Sequence, residues 1–409
     1  MSSTNQNHHL NNSQRAGAAL SRLWSDKNLP ILLFAYILIS LIATIQGISH
    51  GPKVYAPGTR PYTDYNNYVI FKYSFTHLLH NQDIYQYFPE DHWDLYKYSP
   101  GFSVFFGLFS WLPDPVGLFI WNLINTLSLF LGIKMLRGLD NKRKSWILLL
   151  SLPELLLSIQ NSQSNGLMAG LIILAFALAE RSKYFLSAFC IVFSVYIKLF
   201  GILAFVFYLF YPPKTRLAAY SIFWMVFMAA LPLVVVSPHQ LSFIYSSWLH
   251  LLQGDHTASI GLSVMGLMES WFQLTFSKNM VALAGLLLFS LPLIRIRQYK
   301  DYYFRLLYLA SALIWIVIFN HKAESPTFII AISGIGIWYF SQVPSTVNTI
   351  LVILSFCLIT LSVSDLVPTH VKHEIVQHYS IKAVMPIVIW CKILYEQLTL
   401  RYQPRRLPV

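Results

Sequence analysis

The sequence predicts an all-α polytopic membrane protein, and three observations support that prediction. The chain of 409 residues is 56% hydrophobic and only 11% charged, whereas about a quarter of the residues in soluble domains are charged. Apolar runs of about 15 to 22 residues recur from Leu29 to the C-terminus, as in helices that cross a bilayer. The net charge of +12 comes from short basic blocks between these runs, which indicates a positive-inside pattern and excludes a nucleic-acid-binding surface.

The basic blocks predict the sidedness of the chain. When all of them are cytoplasmic, the apolar segments pair into outward and inward spans, giving about 12 transmembrane helices with both termini inside. The predicted domains are a cytoplasmic tail at 1–28, a transmembrane domain at 29–399 and a second cytoplasmic tail at 400–409. The blocks are Arg15/Arg22/Lys27, residues 134–144, Arg181/Lys183, Lys214/Arg216, residues 295–305 and Arg401/Arg405/Arg406.

One apolar segment, 98–112, does not fit the alternation of outward and inward spans. Segment 98–112 is apolar, but if it crosses the membrane, the basic block at 134–144 lies outside. We therefore interpret it as a re-entrant or interfacial element; the alternative is about 13 spans with one exception to the sidedness rule. The predicted spans are 29–48, 116–133, 146–159, 166–178, 184–197, 199–211, 218–236, 280–294, 303–319, 326–340, 346–361 and 383–399.

Several polar stretches share the predicted extracytoplasmic side. The first of them contains aromatic and apolar residues near helical spacing from Tyr65 to Leu79, which predicts an interfacial helix with its aromatic side chains in the headgroup layer. The stretches are the first outer loop 49–114, residues 160–165, the turn around Lys198, the outer loop 237–278, and residues 320–327 and 365–382.

Asp64 is the candidate general base among the acids on this side. It follows the first span and comes just before the amphipathic stretch, where a carboxylate at the membrane surface suits removal of a proton from an acceptor hydroxyl. The alternative is that Asp64 lies in the first turn of a helix, where the helix dipole favours an acid.

The shorter polar turns supply candidate ligands for a sugar and a phosphate. QNSQSN (160–165) is rich in amides that can bind sugar hydroxyls, although Ser and Asn also cap helices. Lys198 stands between two apolar stretches, where an ionisable group indicates a functional site; snorkelling to the headgroups is the alternative. In NHKAESPT, His321, Lys322 and Glu324 suit either an anion-binding turn or a solvated loop.

The order of these motifs resembles that of the GT-C glycosyltransferases of family 87, which are related to bacterial polyprenol-phosphate-mannose-dependent mannosyltransferases. The resemblance covers about residues 29–340. The sequence departs from the family pattern at Asn81, where the family has glycine, and at Ser99 and Gly201, where the family has proline. Its motifs are TDYNNYVIFKYSFTHLLHNQDIYQYF, KYSPGFSVFFGLFSWLP, QNSQSNGLMAG, YIKLFG, ASIGLSVMGLM and NHKAESPT.

The resemblance implies a GT-C fold and a specific reaction. A hexose, mannose-like, would pass from a polyprenyl-phosphate-linked donor to a lipid or glycan hydroxyl with inversion at the anomeric carbon, and Asp64 would be the catalytic base. Lys198, His321 and Lys322 would contact the donor phosphate. The predicted sugar and acceptor site comprises Tyr65, Tyr68, Tyr98, Asn161, Gln163, Asn165 and Glu324.

The remaining predictions concern location, cofactors and partners. The protein is expected in a bacterial inner membrane with its site on the extracytoplasmic side. Its predicted partners are the lipid-linked donor, the lipid or glycan acceptor and membrane lipids, without nucleic acid. The first outer loop carries no D-x-D pair, so we predict no metal or other cofactor.

Two other classes compete with this interpretation. A transporter or flippase would have polar residues through the span centres and inverted repeats, whereas here the polar residues concentrate on one side, with Glu154 beside Pro153 as the chief exception. An O-antigen ligase or polymerase would have a large outer loop late in the chain, whereas the largest predicted outer loop is the early one.

Overall fold

The computed structural model describes residues 28–54, 60–255 and 260–400. The described part is helical apart from turns and one isolated β-bridge, which confirms the all-α class. The predicted tails lie outside the described residues except for Asn28 and Leu400. The longer α-helices are α1 Asn28–Ser49, α2 Asn66–Leu79, α3 Pro100–Ser110, α4 Asp114–Lys134, α5 Asn141–Gln160, α6 Asn165–Ala179, α7 Tyr184–Ile197, α8 Lys214–Ala230, α9 Pro238–Asp255, α10 Val264–Phe272, α11 Lys278–Ser290, α12 Tyr302–Ile318, α13 Phe328–Phe340, α14 Thr346–Ser355 and α15 Ile381–Thr399.

Tighter and wider helical turns extend several of these elements. A 3₁₀ helix of 12 residues, Leu199–Phe210, follows α7 and reaches about 24 Å, because a 3₁₀ helix rises about 2.0 Å per residue. Leu231–Val234 continues α8 and Leu291–Ile294 continues α11, each with a proline at its second residue that cannot donate an α-helical hydrogen bond. π-helical and 3₁₀ turns extend α14 to Val363.

The core of the bundle consists of helices that are apolar on all sides. Helix α6 has no polar face, and nearly all of its side chains are buried, as are those of α12 and α13. Helices α4 and α6 come very close at Gly170, where an added Cβ would lie 2.4 Å from the carbonyl carbon of Ser128. Such small residues let helix backbones approach closely in membrane proteins.

The outer helices show that the chain is a membrane protein. Large apolar side chains on α1, α8 and α11, among them Phe34, Val226 and Leu287, are exposed, which lipid accommodates and water does not. In the described residues, 4 helical segments are long and apolar enough to cross a membrane, and the other apolar helices are shorter, so the count of 12 spans stays a prediction. The four segments are Asn28–Ser49, Asp114–Lys134, Lys214–Val234 and Thr346–Val363.

Two predicted elements of the first outer loop are present with different surroundings. Segment 98–112 contains α3, whose 11 residues span about 16 Å, roughly half of the hydrocarbon thickness, so α3 alone does not cross. The amphipathic stretch forms α2 as predicted. Its aromatic residues Tyr68, Phe71 and Phe75, however, are buried against α3 instead of facing headgroups. The apolar face of α2 was predicted correctly. Its packing partner is α3, whereas the sequence predicted the lipid headgroup layer.

Hydrogen bonds sort the connecting turns into two groups at opposite ends of the helices. Residues 160–165, Lys198 and 320–327 meet at what we call the turn end. Residues 134–144 and 295–305 meet at the basic end, where Tyr302 Oη donates to the Arg137 carbonyl at 2.6 Å. The structure therefore brings together the turns that the alternating spans predicted to share one side.

Candidate active site

A chain of four hydrogen-bonded side chains forms the centre of the turn end. Lys198 Nζ donates to Asn165 Oδ1 at 2.7 Å, and Asn165 Nδ2 donates to Gln163 Oε1 at 2.5 Å. Gln163 Nε2 then donates to Glu324 Oε2 at 2.8 Å. We call these four residues the amide chain. It joins three turns that are far apart in sequence, and all four residues were predicted site residues.

The turn between α5 and α6 explains why Gln163 and Asn165 are available to this chain. Ser162 adopts φ 52°, a left-handed conformation that reverses the backbone so that α6 begins at Asn165. Ser164 occupies the N-cap position without a side-chain cap. The capping role applies instead to Asn161 at the C-terminal end of α5, where its Nδ2 donates to the Leu157 carbonyl at 2.8 Å.

Lys198 lies in the break between α7 and the 3₁₀ helix. Its extended backbone, φ −143° and ψ 125°, separates the two helices and turns its side chain toward α6. Desolvation lowers the pKa of the Lys198 ammonium to about 8, and the charge of Glu324 acts in the opposite direction. A partly desolvated ammonium whose near partner is a neutral amide oxygen gains strongly from an anionic ligand.

Asp64 is held by a histidine and a lysine in the loop before α2. His50 Nδ1 lies 2.6 Å from Asp64 Oδ2, and Lys53 Nζ lies 3.6 Å from Oδ1. The β-bridge between Lys53 and Tyr62 brings these groups together, and the Asp64 side chain stays 30% exposed. Asp64 precedes Asn66, the first residue of α2, so it does not lie in the helical turn that the dipole alternative requires.

His50 and Lys53 were missed by sequence reasoning. They belong to the HGPK stretch directly after α1, and the bridge, which no periodicity encodes, places them at Asp64. A short link joins this region to the amide chain. Asn67, in the first turn of α2, donates its Nδ2 to the Asn161 carbonyl at 2.9 Å. The start of α2, just after Asp64, therefore borders the turn that carries Gln163 and Asn165.

The three predicted tyrosines occupy different environments. Tyr98 is partly buried, its hydroxyl lies 3.5 Å from Ser164 Oγ, and burial raises its pKa, so it remains a protonated donor at neutral pH. Tyr65 is also partly buried, and burial raises its pKa as well. Tyr68 differs because it is 0% exposed and packs edge-on against Phe106 and Phe109. Tyr68 therefore lies in the aromatic core between α2 and α3, and its part in binding sugar or acceptor stays a prediction.

The 320–327 turn presents its predicted residues on a well-anchored backbone. Leu262 donates its amide to the Ala323 carbonyl at 2.7 Å, and Gly261, at φ +57°, lies so close that an added Cβ would be 2.8 Å from the His321 carbonyl oxygen. Glu324 caps the 3₁₀ turn Ser325–Thr327. His321 and Lys322 are partly buried on this turn, and their contact with a phosphate stays a prediction.

A buried ion pair behind the turn was also missed. Lys382 Nζ lies 3.1 Å from Glu154 Oε2, and the two side chains are 0% and 1% exposed. The same ammonium donates to the Ser325 carbonyl at 3.3 Å. The sequence carries a signal for it, namely one acid and one base next to or inside apolar segments, but the predicted outer stretch 365–382 includes Lys382, which the structure places in α15.

The described ranges 28–54, 60–255 and 260–400 contain no group of three or more His, Cys, Asp or Glu side chains arranged to hold a metal ion. Metal independence of the reaction remains a prediction from the sequence.

An all-helical membrane bundle with an amide-rich, cationic site at one end suits a membrane enzyme that binds polar, anionic substrates. Residues 96–338, more than half of the chain, match the family model described as glycosyltransferase family 87, and the chain belongs to that family. The whole amide chain falls within the matched range, whereas Asp64 precedes it.

Two further comparisons concern solved structures and curated proteins. Among solved structures, the chain is similar to the crystal structure of ArnT from Cupriavidus metallidurans bound to undecaprenyl phosphate, with 11% identity and a TM-score of 0.40. The similarity covers 91% of this chain and 78% of the ArnT chain. Among curated proteins there is no significant match.

Proposed function

We propose that this protein transfers a hexose, mannose-like, from a polyprenyl-phosphate-linked donor to a hydroxyl of a lipid or glycan acceptor. The site would face the extracytoplasmic side of a bacterial inner membrane. Membership of glycosyltransferase family 87 supports glycosyl transfer. The observation that carries the donor class is the amide chain ending on the desolvated Lys198, because it offers hydroxyl-binding amides and an anion-binding ammonium beside apolar helices.

The proposed reaction is a single displacement. Asp64 accepts the proton of the acceptor hydroxyl while the acceptor oxygen forms a bond to the anomeric carbon of the donor. The bond between that carbon and the phosphate oxygen breaks, and its electron pair leaves with the polyprenyl phosphate. Lys198, His321 and Lys322 stabilise the charge on the leaving phosphate. One displacement at this carbon inverts its configuration.

The amide chain would hold the sugar by exchanging partners. In the described structure, Gln163, Asn165 and Glu324 satisfy one another's hydrogen bonds. A sugar hydroxyl both donates and accepts, so it can replace one of these bonds without leaving a polar group unsatisfied. Tyr98, with its hydroxyl near Ser164, adds a donor at the same turn.

The test of this proposal is a transfer assay on the purified membrane protein. Polyprenyl-phosphate mannose is the donor, and mass spectrometry detects the glycosylated acceptor. We expect Asp64→Asn to lower kcat/KM by about 10²–10⁴-fold at an unchanged melting temperature, because the amide cannot accept the proton. The matched control is Asp94→Asn in the same loop, where an exposed carboxylate pairs with Lys97, and we expect wild-type activity from it.

Two outcomes would contradict the proposal separately. Full activity in Asp64→Asn discards the base and leaves the donor class standing. Absence of transfer by the wild-type protein from any polyprenyl-phosphate sugar discards the donor class. A transporter or flippase remains the alternative function, and it would move the labelled donor across vesicles without forming a glycosidic bond. The structure places Glu154, the feature that most favoured a transporter, in a closed pair with Lys382.

A further inference from the structure

The buried pair of Glu154 and Lys382 joins three parts of the chain. Glu154 comes from α5, and Lys382 comes from the start of α15. The Lys382 ammonium also contacts the Ser325 carbonyl in the 320–327 turn and lies 5.0 Å from the ring centroid of Phe328. Burying two charges in a membrane protein is costly, and apolar residues of similar volume often stabilise a fold equally well. Stability alone therefore gives no reason for this pair.

The position of the pair relative to the amide chain gives a reason. Ser325 directly follows Glu324, so the bond from Lys382 fixes the peptide next to the carboxylate that Gln163 contacts. Glu154 lies two turns before the end of α5, which leads into the 160–165 turn that carries Gln163. The ion pair thus connects the two backbone segments whose side chains meet at the Gln163–Glu324 hydrogen bond.

We propose that Glu154 and Lys382 form a positioning pair that fixes the 320–327 turn against the 160–165 turn and so keeps Glu324 within reach of Gln163 and Lys198. The pair touches neither donor nor acceptor and acts through Glu324. This inference rests on the proposed function, in which the amide chain and Lys198 bind the donor.

The charge on Lys198 provides a measurable consequence. Desolvation lowers its pKa, whereas the negative charge of Glu324 raises it. Glu324, from the 320–327 turn, is the charged group that acts on Lys198, while its partners Asn165 and Phe200 are neutral. If the turn moves away, the opposing effect of Glu324 weakens and the pKa falls below about 8. A change that only destabilises the fold lowers the amount of folded protein and leaves this pKa unchanged.

The experiment compares a single and a double variant. Lys382→Met leaves a buried carboxylate unpaired, so we expect a lower melting temperature. Glu154→Gln combined with Lys382→Met removes both charges, so we expect the melting temperature to recover while the contact with Ser325 stays lost. The pKa of Lys198 is measured by competitive acetylation across pH with mass spectrometry, and the donor KM by the transfer assay. In the double variant we expect a lower Lys198 pKa and a donor KM raised about tenfold, the loss of one charge-assisted contact.

The matched control lies at the basic end. Glu180→Gln combined with Arg305→Met removes another ion pair with little exposure, and we expect it to leave both the Lys198 pKa and the donor KM unchanged. A double variant of the first pair with wild-type melting temperature, Lys198 pKa and donor KM would show that the pair only packs, which overturns the proposal.

One further variant tests the proposal if the variants that remove the charges of Glu154 and Lys382 fold poorly. Glu154→Asp retains both charges and withdraws the carboxylate by one methylene. We expect a smaller shift of the Lys198 pKa in the same direction, and no shift would overturn the proposal. Acetylation does not depend on catalysis. If the wild type transfers no sugar, the proposed function fails, and the labelling still decides whether the pair positions Glu324.

Discussion

The two ends of the helical bundle use charged side chains in opposite ways. At the basic end, Arg305 forms two parallel contacts with Glu180, at 2.6 Å and 2.8 Å, and Tyr211 Oη donates to the same carboxylate at 2.7 Å. At the turn end, Lys198 contacts a neutral amide, and the carboxylate of Glu324 is exposed. The charges of Arg305 and Glu180 are closed by partners within the protein, so we call the basic end the closed end; Lys198 and Glu324 remain open to exchange with a ligand, so we call the turn end the open end.

The residue types match these two uses. A guanidinium binds a carboxylate through a planar fork, which fixes the geometry of the pair and joins the C-terminal cap of α6 to α12. A lysine ammonium is a point charge on a flexible stem, and burial shifts its pKa easily. The comparison teaches that ion pairs alone do not mark a site; a desolvated cation without a nearby matched anion does.

The largest expected effect is at the open end. Replacing Lys198 by Met removes the ammonium that, in the proposed reaction, stabilises the leaving phosphate, so we expect kcat/KM for the donor to fall by about 10²–10³-fold. The melting temperature should change little, because a buried cation without a matched anion adds little stability. Transfer assays and thermal unfolding check both points. The control is Lys97→Met in the first outer loop, which should keep its activity. Normal activity in Lys198→Met would remove the distinction between the two ends.

The next effect concerns the closed end. Arg305→Met leaves Glu180 without its charged partner, so we expect a loss of about 3 kcal/mol in the free energy of unfolding. The kcat of the protein that remains folded should equal that of wild type, because the pair lies at the opposite end from the amide chain. Chemical denaturation and active-site-normalised kinetics measure the two quantities. A fall in kcat at full folding would mean that the basic end takes part in the reaction.

Sequence reasoning recovered the open end better than the closed one. Lys198, Gln163, Asn165 and Glu324 stand out because polar residues between apolar spans are few, and the alternation of spans predicts which turns meet. The sequence alone therefore predicts that these four residues lie at the same end of the bundle. Arg305 belongs to the basic block 295–305, and Glu180 directly precedes the block Arg181/Lys183. Sidedness alone explains both blocks, so the pairing of the two residues across 125 residues left no signal.

The differences between the expected and the observed surroundings have equally specific physical causes. Tyr68 repeats at helical spacing with its apolar neighbours, but spacing does not distinguish a face that packs on another helix from a face that meets lipid or substrate. The polar residues before Lys382 predict an outer loop that ends at this residue, whereas the structure places Lys382 in α15, where it pairs with Glu154, 228 residues away. The contacts of His50 and Lys53 with Asp64 depend on a loop conformation that local sequence does not fix.

The pH dependence sharpens the description of the open end. In the proposed reaction only the protonated ammonium of Lys198 can bind the donor phosphate, and desolvation lowers the pKa of that ammonium to about 8. As pH rises through that value the ammonium is lost, so kcat/KM should fall about tenfold for each pH unit above about 8. Lys198→Arg keeps its charge in this range and should abolish the alkaline fall, whatever its overall activity. An unchanged alkaline limb in Lys198→Arg would assign the titration to another group.

The smallest effect separates two residues of the same turn. Gln163 contributes its side chain to the amide chain, so Gln163→Ala should raise the donor KM about fivefold, near the value of one neutral hydrogen bond. The side chain of Asn161 donates a hydrogen bond to the carbonyl of Leu157. Asn161→Ala should therefore lower the free energy of unfolding by about 0.5–1 kcal/mol and leave the donor KM unchanged. Donor titrations and denaturation of both variants make the comparison. Equal rises in KM would return Asn161 to the sugar site that the sequence predicted, since a residue that only caps α5 has no contact through which to change donor binding.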